Sequence, residues 1–180
     1  MTTFFSVDVE SSGLTPGTGE LLTIGIHVVD FKGLHPLLLH DSFYVRIDRA
    51  HALRDWMAGN PTFDWWAEQS EEARGEAFAD DSLVRHSQLT AARMLVEFVA
   101  ALEPLAEQRV FVANPVAFDK MWLTTLFDST RVADPFHYRS LCLRSMKFGL
   151  RRDSRWGSDR ETHEPALPHH ALSDAHAQAL

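Results

Sequence analysis

The stretch that most constrains this chain is Thr3-Phe4-Phe5-Ser6-Val7-Asp8-Val9-Glu10, apolar until it ends in two carboxylates. It reads as a strand. Side chains of a strand alternate between faces, so Asp8 and Glu10 project from the same face, one pleat apart. Two carboxylates held that close repel unless something positive sits between them, and hard cations such as Mg²⁺ and Mn²⁺ prefer oxygen ligands. Ser11-Ser12-Gly13-Leu14-Thr15-Pro16-Gly17-Thr18-Gly19 follows, rich in turn residues that let the backbone approach a ligand. Asp8 and Glu10 therefore read as the floor of a metal site. About one Asp-x-Glu arises by chance in a chain of this size, so the reading depends on carboxylates elsewhere completing the set.

With 180 residues, 45% of them hydrophobic, the expectation is a single domain over 1–180 with a sizeable core. No apolar run reaches a membrane span and the N-terminus lacks a signal-peptide pattern, so no membrane partner is expected. The lone Cys142 excludes an internal disulfide framework and points to a reducing cytoplasm. A formal charge of −8 argues at first against nucleic acid, whose binding is driven by Lys and Arg. The charges are uneven, however. Residues 60–108 carry ten acids against three bases, whereas 131–160 carry Arg131, Arg139, Arg144, Lys147, Arg151, Arg152, Arg155 and Arg160 against Asp134, Asp153 and Asp159. On charge alone that basic stretch is equally well a solvated loop and helix face.

Along the chain, Leu21 to Phe31 reads as a second strand, with Leu22, Ile24, Ile26 and Val28 at period two. Asp41 to Ile47 reads as a third, making an antiparallel meander. Residues 49–62 look irregular. Pro61 opens a helix from Thr62, and Trp65-Trp66 cannot both face one way on it; core packing for both is favoured over base stacking. Ser87 or Thr90 caps a long helix carrying Ala91, Met94, Leu95, Phe98, Leu102 and Leu105. Arg109 to Val112 is a short buried strand, Ala113 to Ala117 a loop and Phe118 to Phe127 a helix. Tyr138 to Lys147 reads as a further helix, 151–168 as a loop and His169 to Leu180 as a closing helix. Strands first, then helices with at least one more strand, indicate an α/β mixed sheet flanked by helices.

Asp119 lies just beyond a strand-to-loop transition, where α/β sheets gather their sites. His169 and Asp174 stand five residues apart and can reach one pocket from the last helix's first two turns. Asp8, Glu10, Asp119, Asp174 and His169 can thus converge from separate elements. Each alone has an ordinary explanation: Asp119 as a charge at a helix N-terminus, His169 as a cap.

Three stretches together carry a resemblance. Ser6-Val7-Asp8-Val9-Glu10-Ser11-Ser12-Gly13-Leu14, Asn114-Pro115-Val116-Ala117-Phe118-Asp119 and His169-His170-Ala171-Leu172-Ser173-Asp174-Ala175 resemble, in order, the three motifs of the DEDDh 3′–5′ exonucleases. That superfamily holds ribonuclease T, oligoribonuclease and the proofreading subunits of DNA polymerases. Phe63 to Arg74 is similar to a helix of one branch, the bacterial exoribonucleases and phage exodeoxyribonucleases. The resemblance implies a ribonuclease H-like fold, an antiparallel meander followed by parallel strands, and release of nucleoside 5′-monophosphates from a free 3′ end. It implies two Mg²⁺ or Mn²⁺ ions about 4 Å apart, held by Asp8, Glu10, Asp119 and Asp174, with His169 as general base and His170 as its competitor. It places Ser11, Gly13, Leu14, Asn114 and Phe118 against the terminal nucleotide, with Leu14 as a wedge at its base. Single-stranded RNA is slightly favoured over DNA as the partner. Asn114-Pro115 departs from the usual second motif, and 151–168 matches none. The last helix, ending with the chain at Leu180, is expected to be covered by a second subunit in a homodimer. Two rivals stay open: a zinc hydrolase using His163, His169, His170 and His176, and a catalytically idle nucleic-acid-binding module of the same fold.

Overall fold

The apolar alternation of the first stretch places it at the centre of a five-stranded sheet. The computed structural model describes residues 2–32, 35–48, 61–78, 84–151 and 165–179. β1 (Thr3–Ser11) pairs antiparallel with β2 (Leu21–Lys32), which pairs antiparallel with β3 (His35–Arg46). On its other side β1 runs parallel to β4 (Arg109–Ala113), and β4 parallel to β5 (Ser140–Cys142), giving the order β3-β2-β1-β4-β5. The fold is thus the expected α/β mixed sheet, a meander joined to parallel strands.

Phe5, Val7 and Val9 of β1, with Ile24, Ile26 and Val28 of β2, enter the main core. They meet Ala91, Ala92, Leu95 and Val99 of α3 (Gln88–Leu102) and Trp122, Leu123, Leu126 and Phe127 of α4 (Val116–Thr130). Ser87 caps α3, its hydroxyl accepting the Thr90 N–H at 3.2 Å. The opposite face takes α6 (Ala171–Ala179), which buries only Ala171, Ala175 and Ala179, one small residue per turn.

The register of β1 against β2 shifts between Glu10 and Ser11. Here Leu22 leaves the period-two series expected of it. It packs with Trp66, Ala73 and Ala77 in a second cluster, beneath α1 (Pro61–Ala67) and α2 (Glu71–Phe78). The single helix expected from Thr62 is therefore two. Ser70 stands between them and starts the second, its hydroxyl accepting the Ala73 N–H at 3.1 Å.

Further expectations are corrected. Tyr138 to Lys147 is not one helix: Ser140-Leu141-Cys142 is the edge strand β5, paired with Phe111-Val112-Ala113, and only α5 (Leu143–Arg151) is helical. A three-residue strand is too short to show a period, so the helical spacing beyond it dominated the pattern. β3 begins at His35 rather than Asp41. α4 starts two residues before Phe118, at Val116, and α6 two residues after His169, at Ala171. Residues 49–60 and 152–164, read as irregular and as loop, lie outside the described residues.

Candidate active site

Three elements deliver the carboxylates, and the β-pleat sets the first two. Ser6, Asp8 and Glu10 occupy the α6 face of β1, where the Ser6 hydroxyl donates to the Ala175 carbonyl at 2.8 Å. Asp8 pairs across the sheet with Gly25 of β2. A Cβ on Gly25 would stand 2.2 Å from the backbone of Ala171 and Leu172, so glycine is what lets the first turn of α6 rest on the strand. That contact brings Asp174 to the end of β1. Asp119, in the first turn of α4 and only 2% exposed, reaches the same end and accepts the Val9 N–H at 3.1 Å.

One oxygen each of Glu10 and Asp174 and a ring nitrogen of His169 lie within 4.8 Å of one another. Asp174 accepts the His169 N–H at 2.9 Å, and Asp8 accepts from the Gln178 amide at 2.7 Å. These partners are neutral, so the negative charges act on each other. Burial, and then Asp119, Glu10 and Asp174, push the Asp8 carboxyl well above its ordinary value, against the pull of Gln178. Glu10 is pushed up by burial, then by Asp174 and Asp119. Burial raises Asp119 to about 7 and Asp174 to about 6, in each case against backbone N–H groups that lower it. Burial lowers His169, which keeps its imidazole neutral and able to accept a proton.

Beside Glu10 opens a cleft of about 360 Å³ lined by Ser11, Gly13, Leu14, Pro61, Thr62, Trp65 and Phe118. Ser11 is fixed there: its hydroxyl donates to the Gly13 carbonyl at 2.8 Å and its carbonyl accepts the Trp66 indole N–H at 2.9 Å. Gly13 lies so close to Thr18 and Gly19 that a Cβ would stand 2.6 Å from the Thr18 carbonyl. Leu14 is 69% exposed at the cleft's mouth. Asn114, also expected at the nucleotide, is half-buried at the end of β4 and is not among the residues lining the cleft.

The Trp pair divides. Trp66 is core, but Trp65 is 40% exposed on the cleft, which corrects the expectation that both pack inside. The histidines divide as well. His169 joins the carboxylates, His170 Nε2 sits 3.2 Å from Glu76 while its ring stacks on Tyr44, and His176 packs at a tilt against His27. Those three therefore do not converge as a histidine-only zinc site, and His163 lies outside the described residues. Gly25, Gln178 and Glu76 escaped sequence reasoning because only the approach of α6 and α2 gives them a partner. A lone glycine inside a strand was the single available signal.

No curated protein matches the chain. Among solved structures, it is similar to E. coli exonuclease I in complex with a dT13 oligonucleotide, at 16% identity and TM-score 0.66, over 99% of this chain and 40% of that one. A zinc-ion-bound complex of E. coli exonuclease I with single-stranded DNA gives 13% identity and TM-score 0.65, over 99% and 39%. At such identities the likeness is one of fold, and the chain spans about two fifths of the length of those proteins. A family model adds what the fold leaves open: it matches residues 3–180, and by it the chain belongs to the 3′-5′ exoribonuclease Rv2179c-like domain family.

Proposed function

We propose that the chain removes nucleoside 5′-monophosphates one at a time from the free 3′ end of single-stranded nucleic acid, RNA in preference to DNA, with two Mg²⁺ or Mn²⁺ ions. The observation that carries this reading is the convergence of Asp8, Glu10, Asp119 and Asp174 with His169, beside a cleft walled by Leu14, Trp65 and Phe118. The family's description favours RNA, and the single-stranded DNA bound by exonuclease I favours an unpaired strand.

The residues fit divalent cations. Burial raises all four carboxyls, and mutual repulsion raises Asp8 and Glu10 further, so they form an oxygen-donor set that hard cations relieve. When bound, such ions supply Lewis acidity at the phosphate and lower the pKa of a water. Asp8, Glu10, Asp119 and Asp174 would hold the two ions between them. Gln178 occupies one oxygen of Asp8 and Val9 N–H one of Asp119, which orients the remaining oxygens. His169, neutral at pH 7, takes the proton of the attacking water. Leu14, Trp65 and Phe118 seat the terminal base, so that the last phosphodiester lies against the carboxylates. A homodimer in the cytoplasm belongs to the same proposal; the single cysteine suits a reducing compartment, and the oligomeric state in solution tests the dimer.

The experiment is a time course on 5′-labelled single-stranded RNA and DNA of one sequence, with Mg²⁺, Mn²⁺, Zn²⁺ or EDTA, beside the Asp8→Ala protein. A ladder shortening from the 3′ end, faster on RNA and lost with chelator and mutant, is the expected result. Activity with Zn²⁺ alone would overturn the metal assignment, and binding without shortening would favour an idle binding module.

A further inference from the structure

Resting on the exonuclease reading, the walls around the His169–His170 pair carry one step more. His169 has φ 62°, in the left-handed region that side chains with a Cβ adopt reluctantly, so its conformation has to be imposed by its neighbours. His170 does part of this. Its ring stacks on Tyr44 at 4.6 Å and 20°, and its Nδ1 faces the Ser173 N–H at 3.4 Å. An imidazole accepting at Nδ1 carries its proton on Nε2, where the Glu76 carboxylate accepts it at 3.2 Å. Glu76 is itself ion-paired with Arg46 of β3. His170 is thus held from α2 and β3, whatever the cleft contains, and the His169 ring is left to its other neighbours.

Trp65 does the other part. Its ring meets the His169 ring edge-on, 4.6 Å between centroids and 81° between planes. The same indole lines the cleft with Leu14 and Phe118. Behind it Trp66 is buried and tethered to the Ser11 carbonyl, while Trp65 is 40% exposed. A base seated in the cleft meets that indole, whose ring meets the imidazole in turn.

We propose that Trp65 is a positioning residue that couples occupancy of the nucleobase cleft to the alignment of His169. The proton acceptor is brought to its working position when a terminal base fills the cleft, and a 3′ end without a base is turned over slowly even when bound. Trp65 thereby makes the presence of the base a requirement of the chemical step rather than of binding alone.

The test measures kcat and KM separately, with Mn²⁺, on single-stranded RNA ending in an ordinary nucleotide or in an abasic ribose. The proteins are the wild type, Trp65→Ala, Trp65→Phe and Glu76→Gln. For the wild type, loss of the terminal base lowers kcat about tenfold. Trp65→Ala shows that lower kcat on both substrates, so the two losses do not multiply, and Trp65→Phe restores the dependence on the base. Glu76→Gln lowers kcat by one factor on both substrates. Trp65→Leu, which keeps an apolar side chain, replaces the alanine variant if that one fails to fold. Losses that multiply, or that fall on KM alone, would overturn the coupling. A wild type that shortens neither RNA would overturn the exonuclease reading itself, and the coupling with it.

Discussion

On one face of the sheet, Phe5, Val7, Ile24 and Ile26 meet α3 and α4 through interdigitating side chains. On the other, α6 lies so close over Gly25 that backbone meets backbone, and it buries nothing larger than alanine. The first face is held by apolar volume removed from water, a non-directional force that tolerates small shifts. The second is held by a close approach, by Ser6 on the Ala175 carbonyl and by Gln178 on Asp8, each of which works at one distance only. Stability therefore resides mainly on the first face, and the second sets how Asp174 and Asp8 enter the proposed site. Damage to the two should separate.

The largest effect belongs to the second face. Asp174→Ala is expected to lower turnover about a thousandfold or more in a single-turnover assay, with no loss of thermal stability at pH 8 in EDTA. Gly25→Ala comes next. Its methyl would meet the Ala171 and Leu172 backbone, and lifting α6 should cost about a hundredfold in kcat while far-ultraviolet dichroism stays near wild type. Leu95→Ala, on the first face, inverts that pattern: about 3 kcal/mol of stability lost in urea unfolding, with kcat per folded molecule nearly unchanged. A Leu95→Ala protein with intact stability and lost activity would break the comparison.

The smallest effect is one of pH. Asp119 at about 7 and Asp174 at about 6 are raised in the folded chain above their ordinary value of 3.8. Each contributes full stability while protonated in both states, and that contribution is lost as pH rises through the folded value. The metal-free protein should thus melt at progressively lower temperature between about pH 4 and pH 8, as a gradual slope rather than a step. Mn²⁺ should remove the slope, and Asp119→Asn should flatten it without metal. A metal-free melting temperature that rises over this range would contradict the arrangement of the carboxylates.

The first face was largely legible before folding, because Ile24, Ile26 and Val28 alternate and Ala91, Leu95 and Phe98 recur at helical spacing. The carboxylates were legible too, since Asp8 and Glu10 share a pleat and the motifs around Asp119 and Asp174 carry a resemblance. Illegible were the features made by contact between distant segments. Gly25 is ordinary until α6 lies on it, and Gln178 until Asp8 stands 2.7 Å away. The parting of Trp65 from Trp66 needed the register shift that sends Leu22 beneath the second indole. β5 was lost for a simpler reason, its three residues being too few to display a period.

The cluster of Leu22, Trp66, Ala73 and Ala77 stands apart from the main core, and its size has a thermodynamic consequence. Four buried side chains anchor α1 and α2, against a much larger set beneath the sheet. Opening this corner exposes little apolar area, so its amide hydrogens exchange with solvent deuterium through partial unfolding, ahead of those in β1 and β4. The wall of the cleft thus breathes on a lower free-energy scale than its floor. The strand bearing Asp8 and Glu10 is expected to stay protected while that wall opens.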